Sequence, residues 1–301
     1  MGSVFFIGSI LIAMDYAMMK NKTAGRSLKR KILNEVNELP VMPKVVEKAR
    51  ELIMNPDAGM RELADLIEMD QSLAVKVLKL SNSAFFRRSG MVSSIRDAVV
   101  ILGLNILYEI IIVASTAKLM NRKLKGYGLD AGQLWKHSIS VGKCSQIIAG
   151  KTSPELIHNA FSAGLIHDCG KIVLDPYMYE KRDEYRKDIM KKTPWHIVER
   201  NLFGFDHALL ASKILKGWRF PKNIRMAVCL HHAPKRLFTS KLAYIIHVAD
   251  QIALWSLEKS SEIDPSIIEE PLKVLGISFE DIGDIMENTV SYVNEVESVF
   301  T

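Results

Sequence analysis

From Leu28 to Ile252 apolar residues return every three or four positions, and no succession of short alternating runs with hairpin turns breaks the period. A period near 3.6 predicts an all-α chain. Val45, Val46, Ala49, Leu52 and Ile53 mark one stripe, which Asn55-Pro56-Asp57 stops while offering a cap to the next helix. Leu63, Leu66 and Ile67 resume it, and Leu73, Val77, Leu78 and Leu80 carry a third stripe as far as Ser81-Asn82-Ser83. Ser94, with Asp97 three residues on, has capping-box spacing ahead of an apolar helix over residues 98–114.

Gly126-Tyr127-Gly128 interrupts the pattern and predicts a boundary between two packed helical units, residues 28–125 and 126–257. Beyond it, residues 134–149, 154–174, 206–216, 223–229 and 242–257 read as helices, punctuated by Pro176, Pro194, Pro221 and Pro234. The short helices between Arg61 and Phe86 also fit a helix-turn-helix with residues 72–80 as its recognition helix. Only Lys76 and Lys79 are basic there, and Leu73, Val77 and Leu80 are packing residues, so a structural role is the better reading.

A chain of 301 residues can bury about 75% of its unfolded surface, enough for one large core or two smaller ones. Cys144, Cys169 and Cys229 are scattered without CxxC spacing, which argues against a disulfide framework or a zinc ribbon and for a reducing cytoplasm. The net charge of +6 hides an asymmetry: residues 257–301 carry 11 acidic and 2 basic side chains, leaving the preceding 256 at +15. Residues 258–301 therefore read as an acidic helical tail on a basic body. The basic clusters at residues 20–31, 122–125 and 181–192 lack interleaved aromatics, so solvated helix faces are expected rather than a nucleic-acid groove. An acidic partner is the other reading of that charge.

Residues 1–27 form an apolar and then basic extension. Its apolar run, residues 4–14, is too short to span a bilayer as a helix, and no transmembrane segment is expected. No basic region precedes the run and no small-residue cleavage site follows, which speaks against a secretory signal. A helix packed on the protein itself is expected, with a membrane-surface tether or a partner contact as alternatives.

The chemistry concentrates in the second unit. His167 and Asp168 are adjacent in Ala163-Gly164-Leu165-Ile166-His167-Asp168-Cys169-Gly170-Lys171. Imidazole and carboxylate are first-row metal ligands, and neighbours about 100° apart on a helix can grip one ion from two directions. Lys171, one helical turn after His167, would share its face and place a cation beside the metal, as an anionic phosphate ester requires. His137, Asp206-His207, His231-His232 and Asp250 add further donors. Convergence of separate helices on an internal site is an established way to build such a centre, and buried polar groups are otherwise costly.

Seven ligands suffice for two divalent ions: His137, His167 and Asp250 around one, His207, His231 and His232 around the other, and Asp168 bridging. Iron, manganese, zinc, cobalt and nickel all suit such mixed shells. His247, three residues from Asp250, is placed behind the ligands, and His158 and His196 read as structural or exposed.

At these residues the chain resembles the HD superfamily of metal-dependent phosphohydrolases, whose ordered pattern of His, His-Asp and late Asp is filled by His137, His167-Asp168 and Asp250. His207 and His231-His232 are similar to the additional histidines of two-metal HD-GYP phosphodiesterases, in which the lysine matched here by Lys171 lies near the substrate phosphate. The GYP element is replaced by Ala233-Pro234-Lys235. A more specific resemblance, over residues 33–257, is to the HDOD family of bacterial regulatory modules. It rests on Leu39-Pro40-Val41-Met42-Pro43, Glu68-Met69-Asp70-Gln71-Ser72-Leu73, Asn82-Ser83-Ala84, Ser93-Ser94-Ile95-Arg96-Asp97-Ala98 through Leu102-Gly103, Asp206-His207-Ala208 with Trp218 and Pro221, and His231-His232-Ala233-Pro234.

That resemblance implies a cytoplasmic signal-transduction protein holding one or two divalent ions and engaging a protein partner or a nucleotide. The alternatives are an active phosphodiesterase on a nucleotide or cyclic nucleotide, with Lys171 and Asp168 catalytic, and a metal-free helical scaffold.

Overall fold

The computed structural model describes residues 23–36, 42–54, 60–87, 90–237, 240–258 and 265–300. The run at residues 4–14, the Asn55-Pro56-Asp57 stop and Leu39-Pro40-Val41 lie outside them. Among the described residues every regular element is helical, apart from one isolated antiparallel bridge between Leu124 and Leu129.

The first half comprises α1 (Thr23–Glu35), α2 (Lys44–Met54), α3 (Met60–Glu68), α4 (Gln71–Ser81) and α5 (Ile95–Met120). The predicted stripes become the buried faces: Leu63 and Ile67 on α3 and Leu73, Val77 and Leu80 on α4 are covered, and α2, α3 and α4 all pack on α5. Because that face of α4 is used internally, residues 72–80 serve as a packing helix. Asp70 caps α4, accepting from the Leu73 N–H at 3.0 Å.

Ser94 caps α5, accepting from the Asp97 N–H at 3.0 Å, and the Asp97 carboxylate accepts from the Ser93 hydroxyl at 2.7 Å. The single helix expected over residues 98–114 is longer and bent. Gly103 sits at φ 74° and ψ 165° and divides α5 into rods at residues 95–102 and 104–120. In the second rod Leu107, Ile110, Ile111, Ile112 and Val113 are wholly buried, so the rod is enclosed on all sides. By length and composition α5 is the one described helix able to cross a membrane, yet 61% of its apolar window is buried inside the protein.

The second half contains α6 (Gln133–Thr152), α7 (Ile157–Ile166), α8 (Gly170–Glu180), α9 (Arg182–Met190), α10 (Trp195–Phe203), α11 (His207–Gly217), α12 (Lys222–Cys229) and α13 (Lys241–Glu258). α6 and α7 cross at Gly164, where an added Cβ would lie 2.7 Å from the Val141 carbonyl oxygen and 2.9 Å from Gly142 Cα. No side chain fits that crossing, and α13 lies across both helices. One continuous apolar cluster runs from Ile32 to Val296, and the Tyr108 and Ser162 hydroxyls, 2.9 Å apart, join α5 to α7 across the expected boundary.

Residues expected as one helix over 154–174 form three pieces: a 3-10 turn at Pro154–Leu156, then α7, then α8. His167, Asp168 and Cys169 occupy the turn between the two helices. The acidic segment is built into the core rather than appended to it. After α14 (Ser266–Leu275), α15 (Asp281–Phe300) buries Ile282, Ile285, Tyr292, Val293 and Val296 against α4, α6 and α13. Its acids meet the basic body at Lys136–Glu297 and Lys151–Asp281, both 2.6 Å.

Candidate metal centre

Five places in the chain converge. α6 presents His137, the α7–α8 turn His167 and Asp168, the first residue of α11 His207, the end of α12 His231 and His232, and α13 Asp250. His167, Asp168, His207, His231 and Asp250 are all buried. His137 Nε2 lies 3.1 Å from Asp250 Oδ1 and 3.7 Å from Asp168 Oδ2, and His167 Nε2 is 3.5 Å from Asp168 Oδ2. His207 Nε2 approaches Asp168 Oδ1 at 3.0 Å and His232 Nε2 at 2.8 Å. The structure thus gathers all seven side chains singled out in the sequence into one cluster.

Within it, donor atoms of His137, His167 and Asp250 lie within 4.8 Å of one another, as do those of His207, His231 and His232. An overlapping group of His167, Asp168 and His231 joins the two. Asp168 turns Oδ1 toward the second set and Oδ2 toward the first, an arrangement suited to a bridging carboxylate.

The ring orientations are fixed from behind. His167 Nδ1 donates to the Gly164 carbonyl and His231 Nδ1 to the Val228 carbonyl, each at 2.7 Å. A carbonyl oxygen can only accept, so Nδ1 carries a proton and the inward Nε2 is the atom left to meet a second proton or an ion. Burial opposes charge on His167, but Asp168 and Asp250 outweigh it and raise this imidazole above its ordinary value. Both Nε2 atoms are buried without a hydrogen-bond partner. A buried orphan acceptor costs free energy unless a proton or a cation meets it, and the donor set therefore fits a divalent ion.

Charge balance agrees. Burial opposes the ionised form of Asp168, but His167, Lys171 and His207 outweigh it and hold the carboxyl well below its usual range. Burial also opposes charge on His207, and Glu199 and Asp168 overcome it, raising this imidazole to about 10. His231 is pushed down to about 3 by burial and by the neighbouring His167 and His207, so it stays neutral. Lys171 Nζ lies 2.6 Å from Asp168 Oδ2 and remains protonated. α7 stops at Ile166, a turn leads into α8, and Lys171 on α8 reaches back to the Asp168 carboxylate.

A proton on His207 Nε2 serves both Asp168 and His232, and an ion bound there would replace it. Metal uptake should accordingly release about one proton near neutral pH, measurable by calorimetry in buffers of differing ionisation enthalpy. The sign in the metal-free protein follows from the raised value. The charged ring contributes stability in full below its ordinary 6.5 and loses it as pH climbs through about 10, so the melting temperature should fall across that interval.

Close packing sets the register of the cluster. A Cβ on Gly170, the first residue of α8, would lie 2.0 Å from the His207 carbonyl oxygen, so only glycine lets the starts of α8 and α11 meet. Asp206 caps α11 through the Leu209 N–H at 3.0 Å and is paired with Arg200. His247 Nδ1 donates to the His231 carbonyl at 2.8 Å and so steadies the backbone of that residue. His158 is half-buried on α7, contributing its carbonyl to Ser162.

Three contributors escaped the sequence reading. His196, expected to be structural or exposed, stacks on His232 with ring centroids 4.1 Å apart and an interplanar angle of 17°. Glu199 is wholly buried against His207, and Tyr127 donates its hydroxyl to Glu199 at 2.8 Å. The one available signal was an acid on the apolar face of α10, between Val198 and Phe203.

The HDOD domain family model matches residues 39–234. An uncharacterised protein of Treponema pallidum (strain Nichols) is 25% identical over 215 residues, 70% of this chain, and the chain spans only 41% of that protein's length. The crystal structure of an HDOD domain protein of unknown function from Geobacter sulfurreducens superposes with a TM-score of 0.74 at 24% identity, covering 91% of this chain and 96% of that one. A candidate phosphohydrolase from Shewanella amazonensis SB2B gives a TM-score of 0.70 at 24% identity, with 90% and 98% covered. With its all-helical fold and a family match over most of its length, the chain belongs to the HDOD domain family.

Proposed function

We propose that this protein is an HDOD regulatory module of bacterial signalling whose His/Asp centre holds one or two divalent ions. The observation that carries the reading is the pair of inward, buried Nε2 atoms of His167 and His231, neither of them in a hydrogen bond, beside the Asp168 carboxylate. His137, His167 and Asp250 would hold one ion, His207, His231 and His232 a second, with Asp168 between them. Such an ion supplies Lewis-acidic charge toward a phosphoryl oxygen. Lys171, charged and next to Asp168, is positioned to turn toward an anionic ligand, and a nucleotide or a protein partner of a signalling pathway fits this role. The three cysteines are buried free thiols, in keeping with a reducing cytoplasm.

The complete ligand set together with Lys171 also favours a second reading, a working phosphodiesterase on a nucleotide or cyclic nucleotide. Two measurements on protein prepared without a nickel-binding tag separate the readings. Metal analysis should find one or two ions per chain, and about a tenth or less in His167→Ala and Asp168→Ala. Turnover of bis(p-nitrophenyl) phosphate should not exceed that of these variants if the module is regulatory, whereas turnover abolished by both substitutions would establish the enzyme. A wild-type protein free of metal would sink both readings.

A further inference from the structure

His207 differs from the other histidines of the centre in what stands behind it. His167 and His231 lean on backbone carbonyls, whereas His207 leans on a carboxylate. Glu199, wholly buried on α10, accepts from His207 Nδ1 at 2.7 and 2.8 Å and from the His207 backbone N–H at 2.7 Å. Its Oε1 also receives the Tyr127 hydroxyl at 2.8 Å. The Tyr127 ring is held edge-on by Trp195 at 5.0 Å, and its centroid is 5.9 Å from the Lys171 ammonium. A buried carboxylate, a phenol and an imidazole therefore form one hydrogen-bonded line, from the turn at residues 124–129 to the heart of the cluster.

A carboxylate behind a ligating imidazole fixes its tautomer and makes the opposite nitrogen a stronger donor. Only one of the two ligand sets has this support, because His137, His167 and Asp250 touch neither Glu199 nor Tyr127 through any of these bonds. We infer that Glu199 is the positioning residue of the second ion and that the Tyr127–Glu199–His207 line decides whether the centre holds one ion or two. The inference rests on the metal-binding reading above and assigns unequal strengths to its two ligand sets.

The test is a stepwise Co2+ titration of the full chain, competed against a chromophoric chelator and followed by the cobalt absorption bands. Wild type should take up two ions. Glu199→Gln keeps the shape and removes the charge; its second ion should bind about 10- to 100-fold more weakly, with the first ion's affinity and absorption unchanged. Tyr127→Phe, which removes a single hydroxyl, should weaken the second ion about fivefold and carries the test if Glu199→Gln fails to fold. His207→Ala serves as the positive control, holding one ion. An unchanged second affinity in both variants, or equal weakening of both ions, would overturn the inference and leave the metal-binding reading intact. A wild type that binds a single ion, insensitive to Glu199→Gln, would do the same. A wild type that binds none would remove both.

Discussion

Asp168→Ala will lower the stability of the metal-free protein by about 3–5 kcal/mol, the usual cost of removing one partner from a buried charge pair. The carboxylate receives Lys171 Nζ at 2.6 Å and faces His207 Nε2 at 3.0 Å, and without it two cationic groups confront each other in the interior. Urea denaturation in the presence of a chelator measures the effect. The pH dependence has a definite sign. The folded value of Asp168 lies below the ordinary 3.8, so its contribution is present above that pH and vanishes as pH falls through the folded value. The gap between wild type and variant should therefore narrow in acid. Asp168→Asn, which preserves shape, should cost less than the alanine and still lose the ions.

Gly170→Ala is expected to be comparably damaging although it adds one methyl group and removes no contact. The new Cβ would stand 2.0 Å from the His207 carbonyl oxygen and 2.9 Å from the Ala211 nitrogen, both backbone atoms that cannot swing aside. Relief requires α8 and α11 to separate, which shifts His167 and Asp168 at one end of the contact and His207 at the other. Overpacking ordinarily costs about 1–3 kcal/mol, and a clash between two backbones falls at or above the top of that range. A lowered melting temperature together with reduced metal stoichiometry would report both consequences. A variant that melts normally and binds two ions would show that the helices can part freely.

Much of the architecture was legible before any coordinates. The stripes of α2, α3 and α4 are read from spacing alone because helices in a packed protein must bury one face. The candidate ligands stood out for the converse reason: histidines and aspartates in apolar surroundings are costly without a purpose. What stayed hidden depends on contacts the sequence cannot order. The turn at His167–Cys169 lies within a run whose local pattern is helical, and nothing local marks it; in it Lys171 reaches the Asp168 carboxylate at 2.6 Å. Nothing in the apolar run marks Gly103 as the place where α5 bends, and the bend uses a positive φ that only glycine adopts easily. Glu199 was passed over because its partner is eight residues on in the next helix, and nothing local marks an acid as buried. The acidic count of the C-terminal segment masked the apolar face that Tyr292, Val293 and Val296 present inward.

The meeting of α15 with the first half bears on how the molecule is made. Phe85 and Phe86 rest edge-on against Tyr292 with centroids 5.0 and 5.7 Å away, and the Ala84 N–H donates to Glu295 at 2.9 Å. Tyr292 and Glu295 leave the ribosome roughly 170 residues after the end of α5. At about 5–20 residues per second the delay is on the order of 10–30 s. Throughout that wait Phe86 and the face of α4 on which α15 packs lack their cover, so a product truncated upstream of α15 would leave apolar surface open to aggregation and proteolysis.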